Sequence, residues 1–295
     1  LEDKKGTVLS TIEEQGKLTD ELKKQIEECM TMVALEDLYR PYRPKRRTRA
    51  TIAKEKGLEG LANIISLQMT NKTILEEAEA YISEEKEVLT AEDAIAGAKD
   101  ILAEIYADEA DYRTKIRDLT RNKCKLLSSA KDPEAKSVYE MYYEFEEEIK
   151  KMVGYRILAV NRGEAEKILT VKIEAPVADI IKYLKKQIIA VEDHDSAKYL
   201  AEAVEDSYER LIAPSIEREI RNELTEMAEE GAINVFGKNL HQLLMQPPIA
   251  GKVVLGWDPA FRTGCKLAVV DPTGKVLDTV VIYPTAPQNK VEESK

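Results

Sequence analysis

VVLGWDPAFRTGCKLAVVDPTGKVLDTVVIYP, residues 253–284, holds three β-rich runs, 253–257, 265–270 and 276–283. The loops between them carry Asp258, Pro259 and Gly264, then Asp271, Pro272 and Gly274, residue types that reverse a chain between strands. The spacing predicts a three-stranded antiparallel meander. Asp258 would stand at the end of its first strand, facing whatever lies above the sheet, with Arg262 in the turn that follows.

Upstream, Gln246, Pro247 and Pro248 read as a short, stiff boundary. The chain before it is helix-rich, so the fold class is mainly α: a large helical domain over 1–246, then the first strands of an α/β domain over 250–295. A helical pattern opens at 7–12. Leu22, Ile26, Cys29, Met30 and Val33 recur at helical spacing and predict one helix over 16–39, ended by Pro41 and Pro44. A short helix to Lys56 is stopped by Gly57, and others follow over 58–69, 73–83, 90–107 and 108–121, with Thr90 and Asp93 as a capping pair. Residues 122–130 and 168–173 look strand-like, 139–152 reads as an acidic, tyrosine-rich helix, and 177–189 is amphipathic. The longest helical region, 197–245, must kink or restart at Pro214, which lacks an amide donor.

The chain has 295 residues, 43% of them hydrophobic, 34% charged and 6% aromatic, a mixture that suits long solvated helices. Its net charge of −11 means that any contact with nucleic acid needs a local basic patch. Cys29, Cys124 and Cys265 form no CxxC pair, which argues against a disulfide framework or zinc ribbon and for a reducing, cytoplasmic setting. No apolar run approaches the ~20 residues that span a bilayer, and no signal-peptide core opens the chain, so no membrane partner is expected. The start at Leu1 and the end in VEESK directly after a strand pattern read as those of a fragment.

Four features could carry chemistry. Arg40, Arg43, Lys45, Arg46, Arg47 and Arg49, interleaved with Tyr39 and Tyr42, could neutralise phosphates while the rings stack on bases. The same arginines could equally pair with the chain's own carboxylates, notably 144–148. Asp258 is a candidate catalytic, metal-binding acid and Arg262 a candidate phosphate contact, although two-metal chemistry needs several converging carboxylates. EDHD at 192–195 has the look of a metal site, yet consecutive residues in a turn rarely converge on one ion, and Asp195 is placed to cap a helix starting near Ser196. His241, late in the long helix, has no acid or cysteine at ligand spacing. P-loop, GxSxG and GxGxxG fingerprints do not occur.

Three segments, LEDLYRPYRPKRRTRATIAKEKGLEGLA (35–62), LIAPSIEREIRNELTEMAE (211–229) and GKVVLGWDPAFRTGCKLAVVDPTGKVLDT (251–279), resemble the bacterial Tex proteins, transcription accessory factors related to eukaryotic elongation factors that bind RNA polymerase. The resemblance implies a helical N-terminal region with helix-turn-helix character, followed by a YqgF-type, ribonuclease-H-like domain of which only the first three strands are present. It implies a nucleic-acid-associated, non-catalytic scaffold and binding module, with RNA or DNA and RNA polymerase as partners. No cofactor is expected, and Mg²⁺ only if a ribonuclease-H-like site is active in the full-length protein. Two other readings stay open: a Mg²⁺-dependent nuclease using Asp258, and a structural RNA-polymerase adaptor without nucleic-acid contact. Ala260 departs from the glycine that nuclease-like relatives carry there. The opening of an actin- or sugar-kinase fold would also place an Asp after the first strand, but bulky Phe261 and Arg262 crowd the turn that would cradle phosphates.

Overall fold

The computed structural model describes residues 1–44, 47–247 and 249–295, and the chain divides into two compact units, Leu1–Ala232 and Ile233–Lys295. Pro248, part of the expected boundary, lies outside the described residues; the division itself falls inside the last helix.

The first unit opens with α1 (Glu2–Glu14), α2 (Asp20–Glu28) and α3 (Met32–Tyr39), which close a small core of their own around Val8, Ile12, Ile26 and Leu35. The single helix expected over 16–39 is thus two. Cys29 is extended, and Thr31 restarts the chain as an N-cap whose hydroxyl accepts from the Ala34 amide at 3.2 Å. Helix, three-residue turn and helix give α2–α3 helix-turn-helix connectivity. The second helix of the pair carries no Lys or Arg: Glu36 faces outward and Asp37 is buried.

A larger core surrounds α7 (Ala91–Asp108), against which α4 (Arg49–Glu55), α5 (Glu59–Leu67), α6 (Ile74–Glu79) and α11 (Ser196–Asp206) pack. The Thr90–Asp93 capping box forms as predicted, each side chain meeting the other residue's amide at 3.1 Å. Ala94, Gly97 and Ala98 make α7 thin enough for close approach, and a Cβ built on Gly97 would collide with Leu58 Cδ1.

After α8 (Ala110–Lys123) comes a small antiparallel sheet in the order β2-β1-β3, made of β1 (Lys125–Ala130), β2 (Glu144–Glu148) and β3 (Leu169–Glu174). The expectation of a helix over 139–152 is corrected here: two 3₁₀ turns flank a strand, and α9 (Gly154–Ala165), which the sequence pattern did not predict, follows. Glutamate favours helix in isolation, but EFEEE alternates, and Phe145 and Glu147 turn inward while Glu144, Glu146 and Glu148 face water. Lys125–Glu146 and Arg156–Glu147 ion pairs hold the acidic edge at 2.5 and 2.7 Å. Then come α10 (Val177–Ile188), α11 and α12 (Ala213–Leu244). Pro214 acts by widening rather than ending the helix: residues Ser207–Ile212 form a π-helical segment ahead of it, which joins α11 to α12.

The second unit holds the last turns of α12 and then the predicted meander of β4 (Val254–Asp258), β5 (Cys265–Val270) and β6 (Val276–Ile282), antiparallel in the order β4-β5-β6. Asp271 shapes its second turn by accepting from the amides of Thr273 and Lys275 at 2.8 and 3.0 Å, and Gly274 supplies a φ of +88°. Leu255, Trp257, Leu277 and Val280 are exposed on this sheet. Among the described residues no helix is long and apolar enough to cross a membrane.

Candidate nucleic-acid interface and the Asp258 strand

The basic turn after α3 stands on a buried charge cluster. Asp37, on the inner side of α3, accepts from Arg113 Nε and Arg117 Nη2, both at 2.7 Å. Arg113 and Arg117 lie one turn apart on α8 and reach Glu219 of α12, with Arg113 Nη2 also donating to Ser215 Oγ at 2.8 Å. Arg121, one turn further on, pairs with Glu223. Arg113 is fully buried and Arg117 and Asp37 nearly so. Against the burial that opposes it, the charges and hydrogen bonds of Asp37 and Glu219 hold the Arg117 guanidinium above its ordinary pKa.

Arg40 belongs to this cluster more than to the surface. Its Nε lies 3.3 Å from Asp108, and burial, with the charge of Arg113 beside it, pushes its pKa down. The outer arginines differ. Arg43 is exposed, 3.9 Å from Glu36; Arg47 is exposed and bonds Glu55 at 2.8 Å; Arg49, at the start of α4, is exposed within electrostatic reach of Asp100 and Asp206. Lys45 and Arg46 lie outside the described residues. Arg40, Arg43 and Arg47 meet Asp108, Glu36 and Glu55, whereas Glu146 and Glu147 of β2 pair with Lys125 and Arg156.

EDHD turns out to be a structural clasp. Asp195 caps no amide of its own helix, although Oδ1 pairs with Lys198 of α11 at 3.0 Å; Oδ2 accepts instead from the Ile74 amide, at the first turn of α6, at 2.7 Å. His194 bridges Ser196 Oγ at 2.8 Å and the Thr70 carbonyl at 2.9 Å. The Ile74 amide, then Lys198, hold the Asp195 carboxyl below the usual carboxylate range. A lowered folded-state pKa contributes stability that is present above the unfolded value of ~3.9 and is lost as pH falls through the folded one. As pH falls below about 4 the wild type is therefore expected to lose more stability than Asp195→Asn; parallel acid-unfolding curves for the two proteins would sink the assignment.

In the second unit, Asp258 ends β4 opposite Lys266 of β5, whose Nζ is 4.0 Å from Oδ2, and its side chain is exposed. Among the described residues it is the one carboxylate lining a hollow of ≈660 Å³ beside Trp257 and Val280. Arg262 is exposed in the following turn, where its carbonyl accepts from Gln288 Nε2 at 2.8 Å. Mg²⁺ asks for several converging oxygen ligands, and one carboxylate facing a lysine does not fit it. Among the described residues no group of three or more His, Cys, Asp or Glu side chains is placed to hold a metal ion.

Comparison with known proteins agrees with the two-part architecture. The family model described as Tex central region-like matches residues 70–236, and that of the Tex protein YqgF-like domain matches residues 252–295. The chain is 54% identical to the protein YdcI of Bacillus subtilis over 297 residues, covering 100% of this chain and 41% of that protein. It is 38% identical to the transcriptional accessory protein Tex of Neisseria gonorrhoeae, over 96% of this chain and 38% of that protein. It is 32% identical to the S1 RNA-binding domain-containing protein 1 of Homo sapiens, over 94% of this chain and 29% of that protein. The chain thus spans about two fifths of the length of the bacterial relatives.

Proposed function

The chain belongs to the Tex family, and from that premise we propose that it is the helical body of a nucleic-acid-associated transcription accessory factor, a scaffold and binding module that performs no chemistry itself. The observation that carries this reading is that Arg43 and Arg47, between α3 and α4, and Arg49, at the start of α4, are all exposed, next to Arg40, which Asp108 holds. Held guanidinium groups suit phosphate oxygens, which RNA and DNA share. The names of two relatives, a transcriptional accessory protein and an S1 RNA-binding domain-containing protein, support a role beside the transcription machinery, with RNA polymerase as the proposed protein partner. The reading needs no metal, and among the described residues the solitary Asp258 offers the nuclease alternative no donor set.

Binding of labelled RNA and DNA oligonucleotides should weaken steeply with salt. In Arg43→Ala/Arg47→Ala/Arg49→Ala the slope of log K against log salt should fall in magnitude by about 2–3, near the ~0.7–0.9 expected for each phosphate that is no longer neutralised. The Glu36 and Glu55 ion pairs favour a second reading, in which the turn is an internal structural brace and the chain a protein adaptor. An unchanged slope in the triple variant would leave that second reading standing.

A further inference from the structure

We infer that the outer face of α10 is a preformed docking groove for an acidic amphipathic peptide segment. Ala178, Ile181, Lys182, Lys185 and Lys186 fall at successive three- and four-residue steps and form one stripe along the helix, which Ile189 continues just past its end. They line a groove of ≈690 Å³ whose far wall is Glu192 and Ala197, at the entry to α11. The helical part of the stripe, Ala178 to Lys186, rises roughly 12 Å, the length of about two turns of a ligand helix.

The floor is apolar and the rim basic, in a chain whose net charge is −11. Lys185 already reaches Glu205 at 2.6 Å, but Lys182 and Lys186 are exposed and have no carboxylate within ion-pair distance among the described residues. These two ammonium groups, Lys182 within electrostatic reach of Asp179 but in no close ion pair, stand beside an isoleucine floor and complement carboxylates that flank aliphatic side chains. A nucleic acid fits less well, because the lining holds neither an aromatic ring for bases to stack on nor an arginine.

The groove is also rigid. Beneath it, Ile180 and Leu184 are fully buried and Tyr183 meets Tyr112 edge to face with ring centroids 6.3 Å apart. At its end, Gln68 Oε1 accepts from the amides of Ala190 and Val191 at 2.7 and 3.1 Å, and Gln68 Nε2 returns a bond to the Val191 carbonyl at 2.9 Å. The His194–Thr70 and Asp195–Ile74 bonds fix the turn that bears the far wall. A fixed floor and wall lower the ordering cost of binding.

The test is fluorescence anisotropy of this chain with a labelled peptide of about fifteen residues, leucines at i, i+3, i+4 and i+7 and glutamates beside them. Saturable binding is expected, weakened about tenfold or more both by Lys182→Glu/Lys186→Glu and by replacing the peptide's glutamates with glutamine. Both lysines are exposed, so an unchanged thermal melt is expected; if the double variant melts early, Lys182→Gln/Lys186→Gln takes its place. The inference is overturned if the wild type shows no saturable binding or if the lysine variants bind equally well. It is overturned too if the lysine pair governs only capture of a single-stranded oligonucleotide, of phosphatidylserine vesicles or of a second copy of the chain.

Discussion

Asp37→Ala is expected to destabilise the helical unit by about 3–5 kcal/mol, the cost of leaving buried charge without its partner. Asp37 is 4% exposed and takes one hydrogen bond from each of two arginines that are 0% and 5% exposed. Without it, both guanidinium groups would share Glu219, and Arg113 Nη1 already has no hydrogen-bond partner among the described residues. The loss falls where α3 meets α8, so the small α1–α3 core would lose its anchorage and the arginine turn its footing. Urea titration followed by far-ultraviolet circular dichroism measures the change. Replacing the cluster as a whole, Asp37→Leu/Arg113→Met/Arg117→Met/Glu219→Met, should return most of the stability or exceed it, because well-packed apolar groups carry no desolvation penalty. A cost below about 1 kcal/mol for Asp37→Ala would mean that the cluster is solvated and does not brace the turn.

The cluster explains how far the sequence could be read. Arg113, Arg117 and Arg121 recur every four residues, as do Ser215, Glu219 and Glu223, so each set forms a stripe visible in the sequence. Nothing in the periodicity says that the two stripes meet across 102 residues, or that Asp37 joins them. The meander was legible because strand runs and turn residues agree locally at every step from Val254 to Ile282. β2 was not, since five consecutive residues with four glutamates favour helix by composition and become a strand only when β1 supplies the partner. The break at Cys29 was hidden for the opposite reason: no glycine or proline marks it, and only Thr31 as an N-cap gives it away. Arg40 illustrates the limit for function. Its place in a basic run is indistinguishable from that of Arg43, yet one is held against Asp108 and the other faces water.

Gln68 concentrates the same lesson in a single side chain and sets a second expectation. It ends α5 with φ at +52°, a left-handed conformation that costs a residue with a Cβ roughly 1 kcal/mol relative to glycine. That backbone turn aims its amide group at the α10–α11 connection, where one oxygen serves two amides and its nitrogen serves a carbonyl. Gln68→Ala keeps the strained backbone and deletes all three bonds, and should cost about 2–3 kcal/mol at this partly buried site. Gln68→Gly deletes the same bonds but relieves the strain, and should cost about 1 kcal/mol less, so the pair separates backbone strain from hydrogen bonding. The local readout is amide hydrogen exchange: Ala190 and Val191 should lose protection in both variants, while the amides of α7 lose it only through global unfolding. If protection at Ala190 and Val191 survives Gln68→Ala, the connection is held by its own turn, and the rigidity of the α10 groove must come from Ile180, Leu184 and the His194–Thr70 and Asp195–Ile74 bonds.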